Sequence, residues 1–159
     1  MMKVIKEVTI DKNIQDVWEV MGNQFGQVHV WSSNFLESKP EGESKFDGLG
    51  YSSRKTLTER GETIQELDVF DAVNYSLSYH ITKGAPEVAE QASAIWSLRS
   101  EDANTTKVTF EFSMTPKAMV NEEMASKIEM GLTHSASEMA EELKYYLENG
   151  QPHSRKLNQ

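Results

Sequence analysis

Residues 121–150 read NEEMASKIEMGLTHSASEMAEELKYYLENG, and this stretch decides the fold. Met124, Ile128, Leu132, Met139, Leu143 and Tyr146 recur at helical spacing and form one apolar stripe. Asn121 is an N-cap by type, and Glu122 and Glu123 put negative charge on the first turn, where free backbone N–H groups favour it. Gly150 suits the left-handed closing position, and Pro152 keeps the helix from resuming. Such a helix is roughly 40 Å long, enough to cross a small domain. Its stripe is thinned in the middle, where Gly131 and Ser135 lie four apart. A mid-helix glycine costs about 1 kcal/mol relative to alanine, so something should offset it. Either another backbone approaches closely there, or the helix leaves room for a ligand.

Upstream of this helix the chain is rich in strands. Lys3–Ile10 alternates, with Val4, Lys6, Val8 and Ile10 on one face. Asn13–Gly22 carries Ile14, Val17, Trp18 and Met21 at helical spacing, and a second short helical segment covers Phe25–Trp31. A short strand is expected over Asn34–Ser38, then a polar loop to Gly50. From Tyr51 onward strands follow in meander: Tyr51–Thr58, Glu62–Phe70, Tyr75–Thr82, Val88–Ser100 and Lys107–Thr115. A turn centred on Arg60-Gly61 would pair Thr56 with Gln65 and Arg54 with Leu67. Val108, Phe110, Phe112 and Met114 share one face of the last strand. Strands grouped together with helices segregated mean an α+β fold. The long helix is the one element large enough to cover the dry face of a curved antiparallel sheet. Residues 1–150 read as one domain, and 151–159 as a polar tail expected to fray.

Composition narrows the function. A net charge of −9 argues against nucleic acid, whose phosphates need concentrated Lys and Arg, and against anionic membranes. With no cysteine, disulfides, thiolate metal sites and cysteine nucleophiles are excluded. His29, His80, His134 and His153 sit on four separate elements without metal-ligand spacing, and no P-loop or nucleophile elbow occurs. No apolar run reaches membrane length and the N-terminus lacks a signal-peptide core, so the expected compartment is the cytoplasm. No metal or cofactor is expected.

Several short motifs, in order, carry a resemblance. Val8-Thr9-Ile10-Asp11, then Asp16-Val17-Trp18-Glu19-Val20-Met21 and a second tryptophan at Trp31, resemble the start of START-like proteins of the SRPBCC superfamily. Gly48-Leu49-Gly50-Tyr51-Ser52-Ser53-Arg54 is similar to that superfamily's glycine-rich approach to a strand ending in a small residue and arginine. Gly61 and Glu66-Leu67-Asp68-Val69-Phe70-Asp71 match the segment that follows. The subgroup most resembled is polyketide cyclase/dehydrase and lipid transport, over roughly residues 3–149. The resemblance implies the helix-grip fold, in which a bent seven-stranded antiparallel sheet wraps a long C-terminal helix. It also implies an elongated apolar cavity between them, and a hydrophobic small molecule as partner. No family-wide catalytic motif accompanies it.

Comparison with the plant hormone-receptor branch assigns cavity positions to Arg54, Thr56, Gln65, Tyr79, Ile81, Ser93, Phe110 and Phe112 on the strands. On the helix, Ile128, Gly131, Leu132, Ser135 and Met139 would line the same space. Glu37 stands where those receptors carry a cavity lysine, so hormone recognition of that kind is not expected. The 88–100 strand leaves two readings open. Pattern turns Ala92, Ala94, Trp96 and Leu98 inward, whereas the comparison turns Gln91, Ser93 and Ile95 inward. Arg54 either anchors a ligand oxygen or pairs with a carboxylate such as Glu37. The first expectation is a carrier or sensor of a lipid-, aromatic- or polyketide-like molecule, monomeric or homodimeric and without chemistry of its own. The alternatives are a cyclase or dehydratase using Arg54, Gln65, Tyr79 and Ser93, or a protein-interaction module like the heat-shock ATPase activators that share the fold.

Overall fold

A computed structural model describes residues 1–159. Seven strands form one antiparallel sheet: β1 (Met2–Ile10), β2 (Glu37–Glu41), β3 (Ser53–Thr58), β4 (Gly61–Asp71), β5 (Ser76–Lys83), β6 (Ala89–Asp102) and β7 (Thr105–Pro116). Their spatial order is β1-β7-β6-β5-β4-β3-β2, so β1 and β2 are the two edges. Helix α1 (Ile14–Trp18) runs into a five-residue π-turn, Glu19–Asn23, and then a 3₁₀ segment, Phe25–Val30. Helix α2 (Glu122–Asn149) lies along β1 and β7, and a one-turn helix, α3 (Ser154–Leu157), ends the chain. This is the α+β architecture expected from the element order.

The ends of α2 follow the cap chemistry. Asn121 Oδ1 accepts from Met124 N at 2.9 Å, and Gly150 closes the helix at φ +73. Along its length the packing is uneven. Ala136, Met139, Ala140 and Leu143 are buried, whereas Met124, Ile128, Leu132 and Ser135 are half-buried and Gly131 is exposed. A Cβ built at Gly131 meets nothing within 4 Å, so close approach of another backbone does not explain this glycine. The helix is sealed to the sheet at its C-terminal half and stands open along its N-terminal half.

Several boundaries and pairings differ from expectation. The first strand after the helical segments starts at Glu37, because residues 33–36 are drawn into a loop tied to α2. The β3–β4 turn has Glu59-Arg60 at its tip, so Arg54 pairs with Gln65 and Thr56 with Thr63. That slips the expected register by two residues and leaves each side chain on its expected face. On β6, Ala94, Trp96 and Leu98 are buried, as the alternation implied. Ser93 is exposed on the outer face opposite His80 and Ser113, which removes it from the interior. The terminal segment is not frayed, since α3 packs against α2 and the 33–36 loop through hydrogen bonds described below.

Gly22 and Gly26 set how closely the short helical segments approach their neighbours. A Cβ at Gly22 would overlap the Trp18 ring, and one at Gly26 would lie 2.8 Å from Pro40 Cβ on β2. Tyr51 pins the same corner, accepting from Gly26 N at 2.9 Å and donating to Asn23 O at 3.1 Å. This close packing carries Phe25 across the inner face of β3.

Candidate functional site: a buried arginine in an aromatic cage

The most unusual buried group is Arg54 on β3. Its side chain is fully buried among rings, with the guanidinium carbon 3.8 Å from the Phe25 centroid, 4.9 Å from Tyr79, 5.1 Å from Trp96 and 5.5 Å from Phe35. A guanidinium over aromatic faces gains cation–π attraction, and more so when water is excluded. Arg54 donates through Nε to Gln65 Oε1 at 2.6 Å and through Nη1 to Phe25 O at 2.9 Å. No carboxylate pairs with it. Glu37 is exposed on the edge strand, opposite Leu57, so the expected Arg54–Glu37 pair does not form.

Arg54 Nη2 and Trp96 Nε1 make no well-aligned hydrogen bond, and the polar group that both side chains interact with is the Tyr79 phenol. Buried donors are rarely so poorly paired, because each forfeits its hydrogen bonds to water. Burial pulls Arg54 down to about 10, against the opposing influence of the Tyr79 and Tyr51 phenols, so it stays cationic at neutral pH. Burial likewise pushes Tyr79 up, against the pull of the Arg54 cation, and its phenol remains protonated. The arrangement therefore presents one cation, one indole N–H and one neutral phenol inside an apolar wall.

Of the positions singled out by sequence, Arg54, Gln65 and Tyr79 converge here. Phe110 joins them through Trp96, at 5.3 Å between ring centroids, and Phe112 stacks on Phe110 at 6.2 Å. Ile81 pairs with Gln65 on the neighbouring strand, and Thr56 hydrogen-bonds Thr63. Met139 is buried at the closed end of α2, while Ile128, Gly131, Leu132 and Ser135 lie along its open flank. Ser93 is excluded by its orientation. Trp96, Phe25 and Phe35 are cage members that the candidate set missed. Alternation on β6 pointed Trp96 inward, whereas nothing local in the sequence marks Phe25 or Phe35 as neighbours of Arg54. Two surface depressions lie elsewhere: one of about 610 Å³ on the outward face of α2 between Ser126 and Ser137, another of about 270 Å³ at the β2–β3 edge. Neither contains Arg54.

A seven-stranded antiparallel sheet with a long C-terminal helix laid along β1 and β7 is a helix-grip architecture. Within it, the chain belongs to the polyketide cyclase/dehydrase and lipid transport family, which matches residues 1–144. Among solved structures, a START superfamily protein from Mycobacterium smegmatis is 13% identical with a TM-score of 0.77, over 95% of this chain and 100% of the other. The Zhui aromatase/cyclase from Streptomyces sp. R1128 is 16% identical with a TM-score of 0.74, over 92% and 93% of the two chains. The protein XoxI from Bacillus cereus is 20% identical with a TM-score of 0.74, over 94% and 97%. No curated protein matches the chain. No helix is long and apolar enough to cross a membrane.

Proposed function

We propose that the chain binds a flat, hydrophobic small molecule bearing an acceptor oxygen, as a carrier or sensor in the cytoplasm. The single observation that carries this reading is Arg54: a fully buried cation with no carboxylate partner, held among aromatic rings by neutral groups alone, Gln65, the Phe25 carbonyl and the Tyr79 phenol. A ligand carbonyl or carboxylate oxygen would accept from the Arg54 guanidinium and supply the counter-charge or dipole that the cage lacks. A charge-assisted bond of this kind is worth about 1.5–3 kcal/mol, roughly ten- to a hundredfold in affinity. The aromatic rings would stack on the ligand's own, and its apolar remainder would run along Ile128, Gly131 and Leu132, where α2 stands open. No metal or cofactor enters this reading, and the oligomeric state is a monomer or homodimer.

Two related fluorophores test it. Anilinonaphthalene sulfonate and N-phenyl-1-naphthylamine share a ring system, but only the first carries an anion. Both should bind the wild type. Arg54→Met should weaken the sulfonate at least tenfold and leave the neutral amine within about twofold. Equal losses for both probes, or none for either, would contradict the proposal. Gly131→Leu fills the open flank and should weaken both probes.

A second reading is favoured by one observation, the convergence of Arg54, Gln65 and Tyr79. A cation that polarises a carbonyl beside a neutral phenol that can donate a proton suits a cyclase or dehydratase acting on a 1,3-polycarbonyl chain. Tyr79→Phe separates the readings. It would stop turnover of such a substrate with binding retained, whereas a carrier shows no turnover to lose.

A further inference from the structure

Arg54 has no solvent access, so a ligand can reach its guanidinium only if part of the cage moves. Phe35 is the cage member on irregular backbone: it sits in the 32–36 loop between the 3₁₀ segment and β2. That loop spans the gap from α2 to the sheet. Ser33 N and Oγ donate to Glu142 on α2 at 2.8 and 2.6 Å, and Asn34 Nδ2 donates to Ser135 O at 3.3 Å. On the sheet side, Leu36 N donates to Leu57 O at 2.7 Å.

The chain's last residues hold this loop from outside. Lys156 Nζ donates to Phe35 O at 2.7 Å, and Gln159 Nε2 donates to Ser33 O. Arg155 Nε donates at 2.8 Å to Glu142, the same fully buried carboxylate that grips Ser33. Two residues of the nine-residue tail thus bond the loop directly, a third bonds the carboxylate that holds it, and the loop carries one wall of the cage.

We infer that residues 153–159 form a strap that gates the Arg54 cage: its bonds to the carbonyls of Ser33 and Phe35 set how fast the Phe35 loop opens. The inference rests on the ligand reading above only for its kinetic consequence. The strap contacts the loop and not the cage interior, so it acts on the opening of the loop in the free and the occupied protein alike. Loosening it should therefore raise the association and dissociation rates together and leave the affinity nearly unchanged.

The test uses the full chain carrying Lys156→Met with Gln159→Ala, which removes both bonds to the loop carbonyls and keeps the Arg155–Glu142 pair. Stopped-flow fluorescence with anilinonaphthalene sulfonate should show both rates raised about tenfold and the Kd within about twofold of wild type, the scale of one to two net hydrogen bonds. Unchanged rates, or a weakened Kd without faster association, would overturn the strap. Amide hydrogen exchange at Ser33 and Leu36 provides a readout without ligand. Exchange at both should quicken about tenfold in the variant while the β6 and β7 amides keep wild-type protection. If the probe fails to bind wild-type protein, the ligand reading fails and exchange alone decides the strap; unchanged exchange overturns it.

Discussion

An arginine kept for a ligand should be dispensable to the fold, and its energetics can be worked from the site. Burial lowers Arg54 from the ordinary guanidinium range to about 10. At 1.36 kcal/mol per unit this is a cost of about 3 kcal/mol for the charged form in the fold. The folded value lies below the unfolded one, so the cost applies at every pH below about 10 and is relieved only as pH rises above it. Arg54→Met removes that cost but strands two buried acceptors, Gln65 Oε1 and Phe25 O. Each stranded acceptor costs about 1–3 kcal/mol, so the single variant should fall between a gain of about 1 and a loss of about 3 kcal/mol. Adding Gln65→Leu removes one of the two acceptors. The double variant should therefore gain about 1 kcal/mol, or about 2–4 °C in Tm for a chain of this size. Urea denaturation followed by tryptophan fluorescence reads both numbers. Breaking a true buried ion pair costs about 3–5 kcal/mol, so a loss of that size in the double variant would show that Arg54 serves the fold and would refute the reasoning.

Three further outcomes follow from other parts of the molecule. Gly26→Ala puts a Cβ 2.8–2.9 Å from Pro40 and should cost about 1–3 kcal/mol in chemical denaturation, since rigid ring and backbone must shift. Asn121→Ala removes the acceptor of Met124 N and should cost about 1 kcal/mol, lowering Tm by about 2–4 °C. Burial pushes Glu148 up, but bonds from Asp11 N and Lys144 outweigh it and hold the carboxyl below its ordinary 4.5. Its contribution is full above 4.5 and lost as pH falls through the lower folded value, so Glu148→Gln should flatten that part of the acid-unfolding curve.

The elements that local rules govern were legible in the sequence. Cap residues fixed both ends of α2, alternation placed Val108 and Phe110 inward, and the grouping of strands gave the α+β class. On β6 the period-2 pattern oriented the strand correctly where comparison with distant relatives did not, because burial acts on this chain's own side chains. What the sequence hid depends on long-range contact. Glu142 lies seven residues after Ser135, on the helix face turned to the loop, yet nothing near it announces partners at Ser33 and Arg155. The tail looked unstructured because its residues are polar, and its order comes from acceptors more than a hundred residues away in the chain. The arginine of the candidate site was visible and alternation turned Trp96 inward, but Phe25 and Phe35 were hidden, since they meet Arg54 only when sheet and helical segments close together.

The central claim is that Arg54 holds an oxygen of a hydrophobic ligand. The most direct measurement is the ¹⁵N-detected side-chain resonance of Arg54 during titration with 2-naphthoate, a flat apolar ring bearing one carboxylate. The account predicts that the Arg54 Nε and Nη signals shift with saturation, while the exposed Arg60 and Arg99 do not move. Saturable binding that leaves the Arg54 signals in place would contradict it.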